Sequence, residues 1–223
     1  MSAYRVAGFL RYAALQFVVL TTAAMVAYAG GTWFDPSAPR YRLSENFLSD
    51  LGMLHAFSGR ANYVSSGLFG VALATIGAAF IAFAWTWRGW AFSRGRARIV
   101  GHACAIVGTL AGVAFIGVAI APFDVALAVH NTCVVAAFGL LAIYVLLLTV
   151  VMWCNGIHGA RLVANAVYLA VVVAYVANVL VGAPLFTPRG HTIQVIAQKT
   201  IAYASMAHIL FMATATRRAL SAR

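Results

Sequence analysis

A helical bundle of six membrane spans is the fold this sequence predicts, on three observations. The chain is 64% hydrophobic and only 9% charged, where a soluble domain carries about 25% charged residues. Six stretches reach the roughly 20 apolar residues that a helix needs to cross a hydrocarbon core about 30 Å thick. The charges are also sorted. Asp35, Glu45, Asp50 and Asp124, all four acidic residues, fall in the first and third loops, while ten of the 14 arginines fall at the termini and in the second and fourth loops.

The expected spans are 12–31, 61–87, 99–123, 130–154, 162–183 and 192–216, forming one domain. They are too long and too uniformly apolar for barrel strands, which alternate with period two. The first span follows Arg5 and Arg11, and Ala27-Tyr28-Ala29 resembles a signal-peptide cleavage site. Its apolar run exceeds the 7–15 residues of a signal core, so a retained span is expected. Lysine and arginine stay in short cytoplasmic loops. Arg5, Arg11, Arg88, Arg94, Arg96, Arg98, Arg161, Arg217, Arg218 and Arg223 therefore place both termini in the cytoplasm, as in the inner membrane of a prokaryote. The same rule accounts for the net charge of +11. No single basic face forms, so a nucleic-acid partner is not expected.

The first loop, 32–60, is the only sizeable segment outside the spans. Leu43, Phe47, Leu51 and Leu54 recur at helical spacing, with Ser44 as N-cap and Gly52 as terminator. This spacing predicts a short extracytoplasmic amphipathic helix with Asn46 and Asp50 on one polar face. In the second loop, four arginines beside Trp85, Trp87 and Trp90 read as an orientation signal with an interfacial aromatic belt. Gly108 and Gly112 permit close packing within the chain. Asn165 and Asn178 are expected to bond between helices, and membrane Ser and Thr to bond their own backbone. Cys104, Cys133 and Cys154 form no C-x-x-C pair and are expected in the core.

The groups that carry chemistry concentrate at the outer face. Lys199 in the last span costs about 2.5–3.5 kcal/mol at a membrane centre, so pairing with Asp50, Asp124 or Glu45 is expected. Gln198, beside it, points about 100° away around the helix. Asp124 and His130 are close in sequence, and a bond between them would orient the imidazole. His55, His130 and His191 are the residue types that would hold zinc, although no H-E-x-x-H occurs. Haem is disfavoured, because no two histidines share a span. No G-x-S-x-G nucleophile elbow is present.

The run Asn46-Phe47-Leu48-Ser49-Asp50-Leu51-Gly52 is followed by Asn62. With the junction from Gly117 through Pro122 to Asp124 and His130, and the Gln198-Lys199 step, it resembles a prokaryotic six-helix membrane family of unknown function. That family is distantly akin to the Frag/DRAM/Sfk-type membrane proteins, some of which are linked to lipid handling and GPI-lipid remodelling. The resemblance covers nearly the whole chain. It implies a polar outer-face site built from Asn46, Ser49, Asp50, Asn62, Asp124, His130 and Lys199, and it brings no established reaction.

The expectation is therefore a lipid-binding or lipid-handling membrane protein with a polar pocket open to the outer leaflet. Asp50, Asp124 and Lys199 would form an ion-pair centre, completed by Asn46, Ser49, Arg60, Asn62, His130, Asn131 and Gln198. One alternative is a metal-assisted hydrolase of a lipid or acyl substrate, with His55, His130 and His191 as ligands and Asp50 or Asp124 as general base. In that reading His130 and Lys199 are further catalytic candidates. Another alternative is a small structural subunit, with a protein partner or a second copy of the chain beside it.

Overall fold

The computed structural model describes residues 3–91 and 96–221, with side chains outside 87–98 and 218–221. Six helices dominate it: α1 (Ala3–Ala27), α2 (Tyr63–Ala91), α3 (Arg96–Ile120), α4 (Leu127–Cys154), α5 (Ala160–Val181) and α6 (Pro188–Ser221). All six are long and apolar enough to cross a membrane. Their ends run past several of the expected spans, because helical hydrogen bonding continues where the apolar run stops. Arg94 and Arg223 lie outside the described residues, as do the side chains of Trp87, Arg88, Trp90, Arg96, Arg98 and Arg218.

Each helix packs against its neighbours in sequence, and α1 packs against α6. The bundle is therefore a closed ring, and every helix turns one face towards a shared interior. Val19, Val26, Ile106, Leu146, Val163 and Val173 are exposed on its flanks. In water that surface would be a liability; in a bilayer it meets acyl chains. Hydroxyls inside the spans satisfy themselves as expected: Thr21, Thr75, Thr109, Thr149 and Thr200 each donate to the carbonyl four residues earlier.

Glycine sets the tightest crossing. A Cβ added to Gly77 on α2 would lie 2.6 Å from the carbonyl oxygen of Gly112 on α3, and one added to Gly112 would lie 2.7 Å from that of Gly77. The small-residue step thus serves packing within the chain. Cys104 is buried and Cys133 half-buried, but Cys154 is exposed at the end of α4, contrary to its expected place in the core.

Segment 28–62 folds into a cap over one end of the ring. The amphipathic helix expected there does not form. In its place are a turn closing Asn46 onto Arg42 and a four-residue 3-10 helix over Ser49–Gly52. The reason is local competition for backbone donors. Asn46 Oδ1 accepts the Arg42 N–H at 2.9 Å, and Asp50 Oδ2 accepts the Phe47 N–H at 2.9 Å. Leu51 is consequently buried and Leu43 exposed, so the anticipated apolar stripe is split. The chain enters the cap through Gly30 and Gly31, at φ +96° and +84°. A Cβ on Gly31 would also collide with the backbone of Phe57 and Ser58, so both conformation and space require glycine there.

Candidate functional site

The polar residues singled out by the sequence do converge, but as the internal bonding of the cap. Asn46 is fully buried and stands at the centre. Its Nδ2 donates to the Gly31 carbonyl at 3.1 Å and to Asp50 Oδ2 at 3.2 Å. Its carbonyl accepts from the Tyr41 hydroxyl at 3.0 Å and from Lys199 Nζ. Lys199 also lies over the Tyr41 ring, 5.3 Å from its centroid, a cation–π distance.

Asp50 is 3% exposed. Burial pushes its carboxyl from 3.8 up to about 7, opposed by the Asn46 bond, the Phe47 N–H and the Lys199 charge. Burial likewise raises the Tyr41 phenol, reinforced by the nearby Asp50.

Gln198 and Asn62 fasten the cap to the helices. Gln198 Oε1 accepts the Leu48 N–H at 2.7 Å, and its Nε2 reaches Ser49 Oγ at 3.5 Å. Asn62 accepts from Ala29 N–H and donates to the Leu51 and Met53 carbonyls. His191 Nε2 bonds the Glu45 carbonyl at 2.7 Å, with Phe34 and Phe47 set edge-on to its ring.

Several expectations are corrected here. Asp124 joins neither Lys199 nor His130. Its two carboxylate oxygens accept the Leu54 and His55 N–H groups at 3.1 and 2.9 Å, clipping the cap to the α3–α4 junction. His130 turns back instead, with Nδ1 2.8 Å from the Ala121 carbonyl. Lys199 meets the Asn46 carbonyl rather than a carboxylate, so the three-residue ion-pair centre is not assembled.

The proposed metal ligands are also dispersed. His130 and His191 are engaged by different carbonyls, and His55 lies beside Asp124 at 3.8 Å. Among the described residues no three His, Cys, Asp or Glu side chains are grouped to hold a metal ion. The hydrolase reading thus loses the ligand set it relied on. Arg60 and Asn131 are exposed and stand apart from the buried cluster.

The open space lies elsewhere, inside the ring. A cavity of about 80 Å³ is lined from all six helices, with Phe17, Phe80, Phe115, Phe138, Leu141 and Ile209 in its wall. A second space of about 50 Å³ shares Phe17, Leu73, Phe115, Phe138 and Ala202 with it and reaches Leu48, Ser49 and Gln198 beneath the cap. A third, of about 120 Å³, is a groove between α4 and α5 lined by Val135, Phe138, Tyr175 and Val179. Phe138 borders all three, with Phe115 and Tyr175 edge-on at 5.3 and 4.6 Å.

Sequence reasoning did not find this interior. The polar members of its wall are Tyr144, Tyr168, Ser205 and His208. Ser205 and His208 are one turn apart on α6, and so are Asn165 and Tyr168 on α5. Polar pairs one turn apart on otherwise apolar spans were the signal available. No family model matches the chain, and no curated protein or solved structure matches it either.

Proposed function

We propose that this is a lipid-binding membrane protein that takes the apolar part of a lipid into its helix ring, with the polar segment as roof rather than as binding pocket. The observation that carries this reading is the apolar cavity lined from all six helices and continued beneath the cap. An apolar cavity of about 150 Å³ accepts a benzene ring; the central space of about 80 Å³ and the adjoining one of about 50 Å³ together approach that, room for one end of a slender lipid whose remainder extends out through the groove. The groove at Phe138 supports access from the bilayer, since Phe138 lines the groove and both inner spaces, with Val134 shared between the groove and the space beneath the cap. The resemblance carried by Asn46–Gly52 supports the same class of function. The arginine distribution supports a prokaryotic inner membrane with both termini cytoplasmic and the cap outside.

Native mass spectrometry of the detergent-purified protein tests the reading. Ala202 lines both inner spaces, so Ala202→Phe should fill them. The expected result is a lipid-sized adduct on the natural chain, lost in the variant at unchanged helical circular dichroism. A bare natural chain, or an adduct that survives the substitution, would sink the reading. A structural subunit is the second reading, favoured by the way Asn46, Asp50, Asn62 and Gln198 spend their bonds on the cap.

A further inference from the structure

We infer that the central cavity recognises a neutral lipid by a free hydroxyl group, held between Tyr144 and His208. The inference deepens the lipid-binding reading and rests on it.

Tyr144 lines the cavity from α4. Its hydroxyl is buried and has no hydrogen-bond partner among the described residues. Its ring is held in place, edge-on to Phe80 at 4.9 Å and against Gly108, where an added Cβ would come within 2.9 Å of it. A buried hydroxyl without a partner loses the hydrogen bonds it made to water and gains none in return. Such a group is expected to be completed by something that enters the cavity.

His208 lines the same cavity, and its proton can be placed. Thr149 donates its hydroxyl to the Val145 carbonyl at 2.7 Å, so its oxygen accepts the Asn165 Nδ2 donor, also at 2.7 Å. That fixes the Asn165 amide and makes its Oδ1 the atom facing His208 Nε2 at 3.2 Å. An acceptor there requires the proton on Nε2, leaving Nδ1 of the neutral ring with a lone pair. Nδ1 has no partner among the described residues. The ring is stacked on Tyr168 at 4.2 Å, which fixes its plane.

The remaining polar groups are occupied. Ser205 donates to the Ile201 carbonyl, so Tyr168 donates to Ser205 at 2.7 Å. Among the described residues the cavity thus offers an unused donor, Tyr144 Oη–H, and, besides weaker phenol lone pairs, an unused imidazole acceptor, His208 Nδ1. An alcohol is the simplest group that satisfies both. No Lys, Arg, Asp or Glu side chain lines the cavity among the described residues, and an anionic headgroup taken into apolar surroundings without a counter-charge is strongly disfavoured. The ligand class is therefore an uncharged lipid with a free hydroxyl, as distinct from a phospholipid.

The test uses the full chain in detergent and tritiated dodecan-1-ol, displaced in turn by dodecan-1-ol, its methyl ether and dodecane. The ether can accept from Tyr144 but cannot donate to His208, and dodecane does neither. Each hydrogen bond should be worth about fivefold in affinity, giving the order alcohol, ether, alkane. Tyr144→Phe removes a hydroxyl that bonds nothing in the protein, so it should fold normally and bring the ether level with the alkane. His208→Phe keeps a ring on Tyr168 and should bring the alcohol level with the ether. Equal binding of all three by the natural chain overturns the inference and leaves the lipid-binding reading standing. An unchanged alcohol–ether–alkane order in both variants does the same. Absence of any alcohol binding overturns both.

Discussion

Lys199 and Asp50 are bridged by a third residue, Asn46, which accepts from the lysine through its carbonyl and donates to the Asp50 carboxyl through its amide at 3.2 Å. A lysine in a spanning helix and a buried carboxylate on a loop are each costly alone. One buried asparagine makes them compatible and ties the cap to α6. Asn46→Ala keeps the carbonyl but removes the amide, which leaves Asp50 with the Phe47 N–H and the Gly31 carbonyl without its donor. A loss of about 1–3 kcal/mol is expected for the buried acceptors left unsatisfied. Limited trypsin digestion should show it, because Arg40 and Arg42 lie in the cap and should become cleavable. A cap that stays resistant in the variant contradicts this role.

Asp50 also makes the cap sensitive to pH. Its carboxyl is raised from 3.8 to about 7 in the folded chain. A raised acid favours the folded state while protonated. The contribution is complete below pH 4, falls as the unfolded chain ionises, and is gone above about pH 7. Acidification from pH 7 to 5 should therefore raise stability by on the order of 2 kcal/mol, read as a higher thermal midpoint. Asp50→Asn should flatten that slope. A midpoint that climbs equally in the variant assigns the effect to another group.

Asp124 gives a prediction at single-amide resolution. Both of its oxygens are acceptors for the Leu54 and His55 N–H groups. An asparagine there has one acceptor and sets its NH₂ against an N–H donor. Asp124→Asn should cost about 1–3 kcal/mol locally, seen as faster hydrogen exchange in a peptide spanning residues 54 and 55. Exchange within α4 should not change. Slow exchange at both amides in the variant would rule out the clip.

The six helices were legible because span length and charge sorting are imposed by the bilayer, whatever the side chains pack against. The polar cluster was half legible. Costly residues such as Asp50 and Lys199 announce that partners exist, but the sequence does not say whether the partner is a side chain or a carbonyl. Asn46, Asn62 and Gln198 do belong to the cluster around the cap, yet their amides spend their bonds on cap backbone, and only Gln198 of the three also borders an inner space. The 3-10 helix was hidden by the helical spacing of Leu43, Phe47 and Leu51, because periodicity does not register side chains that capture backbone N–H groups. The interior cavity was hidden for another reason. In a uniformly apolar span, lipid-facing and cavity-facing residues read alike, as Leu146 and Val145 do, although only Val145 is buried and lines the cavity.

Phe138 supplies the last prediction. It borders the α4–α5 groove, the central cavity and the space beneath the cap. Helix α5 has the smallest buried share of the six spans, 22%. A route through its seam disturbs less packing than one through α2–α3, where Gly77 and Gly112 bring the backbones together. Phe138→Ala removes the ring that separates groove from interior and leaves a cavity, at a cost of about 3–5 kcal/mol if the site does not relax. Exchange of a spin-labelled lipid between the bundle and surrounding detergent should accelerate, by at least tenfold if the ring is the main barrier, which corresponds to about 1.4 kcal/mol. Phe115→Ala also enlarges the cavity but leaves the groove closed, so it should change occupancy more than exchange rate. If the two variants exchange lipid at the same rate, access does not run through the α4–α5 seam.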